Sequence, residues 1–289
     1  MVVDRAAHRR AVDHTRTAHA IAVRRGSVLA GDDGVRLLAP GSWSADAMVA
    51  YLGHDGERDY VAVRDDGDEA HADGTWTPAR TLIGALEASS GAHRLRDRDL
   101  LLTATALDQW HDAHLHCPRC ASSTTVTSGG WVRRCESCER DLYPRTDPAV
   151  IVAITDGEDR MVLAHASYWS ARRYSHLAGY VEPGESFEQA VHREVGEESG
   201  LTLTGLEYVS SQPWPFPASV MVGFRARAID ADFTLDDDEI SDAMWVARGQ
   251  LEELVDSGDV ILAPRGSIAR SMLDDWHGDG ARLTRLQRD

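Results

Sequence analysis

The chain has 289 residues, of which 43% are hydrophobic, and it carries a formal net charge of −17. No stretch approaches the roughly 18 to 20 consecutive apolar residues that span a bilayer, and the segment 1–25 lacks the apolar core of a secretion signal, so we expect a cytoplasmic protein with no membrane partner. The acidic balance argues against a surface built to hold a nucleic-acid backbone, because such binding depends on many cations.

The N-terminal region, residues 1–112, is long enough to be a domain of its own and carries no chemical motif. Its short apolar runs alternate with acidic turns, a pattern typical of a folded α+β domain. The runs predict strands or buried patches at 36–39, 60–64 and 99–103, and helices at 79–91 and 103–116.

Four cysteines lie close together in the next segment, which we assign as a zinc ribbon over 113–146. They form two C-x2-C pairs separated by fourteen residues, a spacing that suits tetrahedral zinc, whereas disulfides would be reduced in a cytoplasmic chain. Because four thiolates leave no open coordination position, this zinc is predicted to hold structure and not to perform hydrolysis. The ligands are Cys117, Cys120, Cys135 and Cys138, with the adjacent His116 as the less favoured substitute.

Residues 147–289 mix strands with helices and make up the third predicted domain, which we expect to be catalytic. The aliphatic run at 149–154 is typical of a buried strand. Further strands are predicted at 161–165, 206–210, 220–226 and 243–246, and helices at 250–257 and 267–276. The run 174–180 leads into the segment that carries the next helix.

One more helix in this region carries the candidate chemistry. Glu194, Glu197 and Glu198 stand at positions i, i+3 and i+4, so a helical backbone stacks their carboxylates on one face, opposite an apolar stripe. Like charges this close repel unless cations neutralise them, and oxygen ligands are what Mg²⁺ or Mn²⁺ prefer. Arg193 is placed to orient a neighbouring glutamate. The pattern predicts a site for a magnesium or manganese ion.

The run around this helix resembles the Nudix box, G-x5-E-x7-R-E-U-x-E-E-x-G-U, in which U is an aliphatic residue. Every fixed position is met, by Gly179, Glu185, Arg193, Glu194, Val195, Glu197, Glu198, Gly200 and Leu201. The resemblance implies a Nudix hydrolase, an enzyme that cleaves a diphosphate joined to another moiety, usually a nucleoside. It also implies an α/β/α sandwich around a mixed sheet, so we expect the whole chain to be of the α+β class.

The segment 211–219 is predicted to be a stiff loop, and it bears on the choice of substrate. Its alternating prolines restrict the backbone, so that Trp214 and Phe216 can be held as flat stacking surfaces for a base, with Gln212 and Ser219 as hydrogen-bonding ends. The segment resembles the S-Q-P-W-P-F-P-x-S signature of the NADH pyrophosphatase family of Nudix hydrolases. The substrate contacts that this implies are Gln212, Pro213, Trp214, Pro215, Phe216, Pro217, Ala218 and Ser219.

Other roles rest on this resemblance alone, which also covers the Tyr-Pro-Arg run that follows the cysteines. The metal ligands that it implies are Glu194, Glu197, Glu198 and Glu239, beside the backbone of Ala178. The further substrate contacts that it implies are Tyr143, Ala178 and Ala269. It also implies a degenerate Nudix-like N-terminal domain and a homodimer in which both chains build the pocket. Gly130 stands before Trp131 where the family can have a glutamate, so we expect no substrate contact there.

These features together predict an NAD(H) diphosphatase that acts on an acid anhydride. The predicted reaction is metal-dependent hydrolysis of the diphosphate of NADH or NAD⁺ to AMP and nicotinamide mononucleotide. Catalysis is assigned to Arg193 and the three box glutamates, of which Glu198 or Glu197 accepts the proton of the attacking water. Spacing alone does not choose between these two bases.

Two alternatives remain open from the sequence. The first is removal of the NAD cap from RNA 5′ ends, for which the arginines around the cysteines could hold an RNA tail, although nearby acids almost balance them. The second is a zinc-ribbon binding protein with an inactive Nudix domain, which should have lost box glutamates. The ranking of NADH, NAD⁺, ADP-ribose and capped RNA is likewise left undecided.

Overall fold

The computed structural model describes residues 2–14, 16–44, 46–64, 74–89, 91, 93–170, 172–236 and 238–287. The chain divides into two compact units. The first comprises Met1–Thr146 together with Pro215–Ala218, and the second comprises Asp147–Trp214 together with Ser219–Asp289.

A mixed sheet forms the centre of the first unit. Its strands follow the order β3-β2-β1-β6-β5, with β4 paired to β1, β7 paired to β2, and β1 parallel to β6. Two helices accompany it, α1 (Ala79–Ala88) and the twenty-residue α2 (Arg94–Ala113). The strands are β1 (His19–Arg24), β2 (Ser27–Gly31), β3 (Gly34–Val35), β4 (Leu37–Leu38), β5 (Val49–His54), β6 (Asp59–Arg64) and β7 (Thr75–Pro78).

The strands predicted at 36–39 and 60–64 and the helix predicted from residue 79 are confirmed, whereas the strand predicted at 99–103 is wrong. That run lies inside α2, where Leu100, Ala104 and Leu107 recur at helical spacing and are buried in the core. A short apolar run fits a buried strand and a buried helix face equally well, so the first half of α2 was predicted as a strand and only its second half as a helix.

The zinc ribbon forms a small three-stranded antiparallel sheet within the first unit. Its strands are β8 (Thr124–Thr127), β9 (Val132–Cys135) and β10 (Asp141–Leu142), in the order β10-β9-β8. The buried Arg133 donates from Nε to Thr124 Oγ1 at 2.7 Å and lies 3.1 Å from Nδ1 of His111 on α2. Nε1 of Trp131 donates to Tyr51 O on β5 at 2.6 Å. The ribbon is therefore joined to α2 and β5 by buried polar contacts.

The second unit is built around a six-stranded mixed sheet in the order β14-β15-β11-β12-β16, with β13 paired to β11. The central strands β11 and β15 run parallel over nine residue pairs, from Asp147↔Ser219 to Thr155↔Arg227. The strands are β11 (Asp147–Thr155), β12 (Met161–Ala166), β13 (Leu177–Tyr180), β14 (Leu203–Trp214), β15 (Ser219–Ala228) and β16 (Ile240–Val246). Every strand predicted for this region is present.

Helices cover both faces of this sheet. Along β11, Val150 and Val152 face the hydrophobic core that contains Val191 of α3, whereas Ile151 and Ala153 face a second core formed with α4, α5 and α6. Such alternation is what a strand buried on both sides requires. The helices are α3 (Phe187–Ser199), α4 (Arg248–Ser257), α5 (Ile268–His277) and α6 (Gly280–Leu286). The α/β/α sandwich expected for this domain is thus confirmed, and α6 is an element that the sequence reading missed.

In the described part of the chain, none of the helices has the length and apolar character needed to cross a membrane.

Candidate active site

Helix α3 has well-defined ends, which fix the register of its acidic face. The Ser186 hydroxyl accepts a hydrogen bond from Gln189 N at 3.2 Å, and the Gln189 side chain accepts one from Ser186 N at 2.8 Å. This reciprocal pair is a capping box, which satisfies two free N–H groups of the first turn. Gly200 ends the helix with φ +71°, a left-handed conformation that glycine adopts without cost.

Arg193 links the helix to the chain that precedes it. Its Nε and Nη2 contact the two oxygens of Glu185 at 2.6 and 2.9 Å, and Nη2 also donates to Tyr180 O at 2.9 Å. Nη1 lies 2.9 Å from Glu194 Oε1 and 3.1 Å from Glu197 Oε2. The Arg193 hydrogen bond is the main reason that the pKa of Glu185 is lowered to about 2. Arg193 therefore organises β13, the turn after it and two box carboxylates.

Glu198 occupies the most buried position of the acidic face. Its side chain is 7% exposed, and its Oε2 has no hydrogen-bond partner. Burial, reinforced by the nearby charges of Glu194 and Glu239, raises the pKa of Glu198 to about 8. Burial also raises the pKa of Glu194, where Arg193 opposes the effect and Glu197 and Glu239 add to it. A buried carboxylate with an unpartnered oxygen, surrounded by the charges of further carboxylates, suits a hard divalent cation.

Gly179 explains how Glu194 fits against β13. A Cβ atom built on this glycine would lie 2.0 Å from Glu194 Cδ and 2.2 Å from both of its carboxylate oxygens. The space that any larger residue would fill is therefore the space of a box carboxylate. Ala178, next to it, pairs with Ile151 on β11 and is half-buried.

The segment that carries Glu239 folds back onto the end of α3. Asp236 N donates to Glu198 O at 3.4 Å, and Glu239 N donates to Asp236 O at 3.0 Å. Ser167 N in turn donates to Glu239 O at 2.9 Å. The backbone of Glu239 therefore lies close to the end of α3, and the Glu239 charge contributes to the raised pKa values of Glu194 and Glu198. Glu197 is 61% exposed and Glu239 is exposed as well, so Glu198 is the buried member of the four.

The proline-rich segment is a hairpin rather than the continuous loop that we expected. Pro213 and Trp214 belong to the edge strand β14, Ser219 begins β15, and the turn between them, Pro215–Ala218, lies in the first unit. Prolines are tolerated in an edge strand because no neighbour needs their missing N–H.

Both ends of the Gln212 amide are already engaged within the second unit. Nε2 donates to Gly266 O at 2.6 Å, and Oε1 accepts from Ile268 N at 2.7 Å. The side chain is 7% exposed. Gln212 therefore joins β14 to the start of α5, where Ala269 O lies 3.1 Å from His176 Nε2. Ala269 itself is 9% exposed.

Tyr180 is a residue that the sequence reading missed. It follows Gly179, its ring is 54% exposed, and its hydroxyl lies 3.2 Å from Ser219 Oγ. An aromatic residue directly after the first glycine of the box was the available signal. Tyr143, also exposed, lies in the first unit between β10 and the end of that unit.

The four cysteines converge as the spacing predicts. Their thiol sulfurs all lie within 4.8 Å of one another, and two of the separations are 3.5 Å (Cys120–Cys135) and 3.7 Å (Cys117–Cys138). Zinc–sulfur bonds of about 2.3 Å give a tetrahedron with edges of about 3.8 Å, so these residues fit a zinc ion. Hydrogen bonds from Ser122 lower the pKa of Cys120 to about 6, which favours the thiolate ligand. In the described part of the chain, this is the one such convergent set of cysteine, histidine or acidic ligands.

Comparison with known proteins agrees with both sites. Residues 145–264 match the NUDIX domain, and residues 112–143 match the NADH pyrophosphatase zinc ribbon domain. A relative named NAD-capped RNA hydrolase NudC, from Mycobacterium bovis (strain BCG / Pasteur 1173P2), is 41% identical over 186 residues, which cover 61% of this chain and 59% of the relative. The human NAD-capped RNA hydrolase NUDT12 is 34% identical over 194 residues, which cover 63% of this chain and 42% of the relative. The match thus spans three fifths or less of these relatives.

Proposed function

We propose, on the premise that this chain carries a Nudix domain and the zinc ribbon of NADH pyrophosphatases, that it hydrolyses the diphosphate of NADH or NAD⁺. The products would be AMP and nicotinamide mononucleotide. The observation that carries this proposal is the buried Glu198 carboxylate, which has an unpartnered oxygen and lies beside Glu194 and Glu239. A diphosphate brings the negative charge that such a site can bind only together with a cation.

Glu194, Glu197, Glu198 and Glu239 are the proposed ligands of Mg²⁺ or Mn²⁺, beside the Ala178 backbone. Glu198 is buried, whereas Glu197 and Glu239 are exposed. The chemistry that such an ion supplies is neutralisation of the diphosphate and activation of a water molecule. The choice between the two ions rests on assay alone, because both accept oxygen ligands.

Glu198 is the proposed proton acceptor for the attacking water. Its buried Oε2 has no other hydrogen bond to lose, whereas Glu197 Oε2 is held by Arg193 at 3.1 Å. Arg193 serves to position Glu194, Glu197 and the turn at Glu185. It stays protonated at neutral pH and therefore cannot act as a base.

Base recognition is assigned to exposed aromatic surface beside the box. The Tyr180 ring is 54% exposed and is tied to Ser219 at the start of β15. Trp214, half-buried, stands opposite Ser219 across the same hairpin. Aromatic rings so placed stack on any nucleobase, which supports a dinucleotide but does not rank its two halves.

Removal of the NAD cap from RNA is the second candidate. The specific observation in its favour is that the curated relatives are named NAD-capped RNA hydrolases. The net charge of −17 weighs against a large RNA footprint. The proposal also includes zinc in the ribbon, a homodimer and a reducing cytoplasmic location. The four clustered thiols support zinc binding, and thiols that form no disulfide are typical of a reducing compartment.

A substrate panel tests the proposal. Turnover of NADH, NAD⁺, ADP-ribose and NAD-capped RNA is measured at matched concentration with Mg²⁺ and then with Mn²⁺, and light scattering gives the oligomeric state. Release of AMP from NADH or NAD⁺ is the expected result. Phosphate-bond cleavage in none of these compounds would instead support a binding protein with an inactive Nudix domain, and preference for capped RNA would favour the second candidate.

A further inference from the structure

The tip of the β14–β15 hairpin, Pro215–Ala218, belongs to the first unit although both of its strands belong to the second. Pro215 is buried there, and its carbonyl oxygen accepts a hydrogen bond from Nε2 of Gln109 at 2.8 Å. Phe216 packs against the hydrophobic core of the N-terminal domain. The guanidinium carbon of Arg80 lies 5.0 Å from the centroid of the Phe216 ring.

Each of these anchors lies on a rigid element. Gln109 is on α2 between residues that face the core, since Asp108 and Trp110 are both buried. Arg80 is in the first turn of α1, directly after the buried Ala79. A helix that packs along its length against a core holds its side chains more precisely than a loop does. The tip is thus fixed by groups that have little freedom of their own.

The contacts also change the part that Phe216 can play. Arg80 already lies over its ring, and the remainder of the side chain is half-buried against the N-terminal core. A ring covered in this way anchors the hairpin tip and offers little surface on which a base could stack. Trp214 and Ser219, one residue outside the tip on either side, remain in the second unit.

We propose that Gln109 and Arg80 are positioning residues for substrate recognition, and that the N-terminal domain serves to hold the recognition hairpin in its binding conformation. The inference rests on the proposed function, because it assumes that this hairpin meets the dinucleotide. It assigns a role to residues 1–112, in which the sequence contains no motif. Neither residue touches the reacting atoms in this proposal; both act through the tip.

The expected effect is on binding. If the hairpin became ordered only when substrate binds, the entropic cost of ordering would weaken binding. A hairpin that is already ordered avoids this cost. Loss of one hydrogen bond to a buried carbonyl costs about 1 to 3 kcal/mol, which corresponds to roughly fivefold or more in an equilibrium constant. The metal site on α3 shares no hydrogen bond with Gln109, so the rate of the bound complex should change little.

The test uses the full chain with Gln109→Leu, Arg80→Met and the double variant. Gln250→Leu is the matched control, since Gln250 is an exposed glutamine on α4. We expect Gln109→Leu to raise KM for NADH about 5- to 10-fold, to weaken AMP binding in calorimetry by a similar factor and to leave kcat within about twofold. Arg80→Met should give a smaller rise of about 2- to 5-fold, as a cation–π contact contributes less. The control should match the unmodified chain.

Three outcomes are informative. An unchanged KM and unchanged AMP affinity in Gln109→Leu, with normal NADH turnover, would overturn the positioning role and leave the proposed function intact. A parallel fall of kcat, thermal midpoint and zinc content would also overturn it, because it would show a purely structural contact. If the unmodified chain fails to cleave any dinucleotide, it is the proposed function that fails, and AMP calorimetry still reports whether the tip governs nucleotide binding.

Discussion

The four thiols of the ribbon and the carboxylates of α3 are both sets of metal-ligand side chains, yet they are held in opposite ways. The thiols close on one another to within 4.8 Å and are carried by short strands and turns. The carboxylates stay more open, with Glu198 buried and Glu197 61% exposed, and Arg193 bridges two of them. A closed set gives stability, whereas an open one leaves coordination positions for a substrate and a water.

The largest effect should come from the buried member of the open set. We expect Glu198→Gln to lower kcat by up to about 10⁴-fold, because it removes both the proposed base and one of the proposed metal ligands. Steady-state kinetics measure the loss, and zinc content with the thermal midpoint serves as the control. Near-normal turnover would rule out Glu198 as the base.

A member of the closed set should behave in the opposite way. Cys135→Ser should lower the free energy of unfolding of the first unit by more than about 4 kcal/mol, since loss of a structural metal ranks among the most destabilising changes known. Cys135 is 1% exposed. Denaturant unfolding and zinc analysis measure the effect. Retention of one zinc per chain with an unchanged midpoint would contradict the structural assignment.

Gly179→Ala separates geometry from stability within the open set. The new methyl group would lie 2.0 Å from Glu194 Cδ, so the carboxylate has to move while the backbone can stay. A displacement of about 1 Å in a catalytic group can cost 10²-fold in rate, and we expect a fall in kcat of that order with little change in thermal midpoint. Equal losses of rate and stability would indicate that β13 itself has been displaced.

The smallest expected effect is a pH dependence of the ribbon's attachment to α2. His111 is 1% exposed and lies 2.9 Å from Gly130 O, and burial, with Arg133, Arg64 and His114 adding to it, lowers its pKa to about 4. Because the pKa of His111 is lower in the folded state, this side chain stays neutral in the folded chain at pH values where it is protonated in the unfolded chain, that is, below about pH 6.5. Stability is therefore complete above that pH and falls as the pH drops towards 4.

Between pH 7.5 and pH 5.5 the loss of free energy of unfolding from His111 should be about 1 kcal/mol. His111→Gln keeps a donor and an acceptor but cannot titrate, so the difference between the two proteins in urea unfolding at both pH values isolates this residue from other acid-sensitive groups. Identical slopes with pH in both proteins would show that His111 is not the source.

Local patterns in the sequence predicted most of both metal sites. The C-x2-C pairs specify their own convergence, since each pair needs only one turn of chain to bring its sulfurs together. The sequence also predicted the box helix and its ends, because Ser186, Gln189 and Gly200 form their capping hydrogen bonds with backbone groups only a few residues away along the chain. Glu239 was different, since it came from resemblance alone and reaches Glu198 only through the fold of the segment from Asp236 to Glu239.

Residues with partners far along the chain have contacts that the sequence did not indicate. Gln212 was taken as a substrate contact, and its amide proves to be engaged by Gly266 and Ile268, more than fifty residues away along the chain. Phe216 was taken as a free stacking ring, and it packs into the core of a domain more than one hundred residues earlier. Neither partner could be chosen from a side chain's type and its neighbours.

The sequence by itself determined the local arrangement of the two candidate sites: on which helix the carboxylates lie, and that four thiols form a separate, closed set. Those properties follow from spacing within one or two turns of chain, where backbone geometry leaves little choice. Only the tertiary structure showed that Glu198 is the buried carboxylate and that the Gln212 amide is engaged within the protein. It also showed that the hairpin tip, Pro215–Ala218, lies in the first unit. Burial and long-range pairing depend on how whole elements pack, and that packing is the sum of many weak contacts that no short motif encodes.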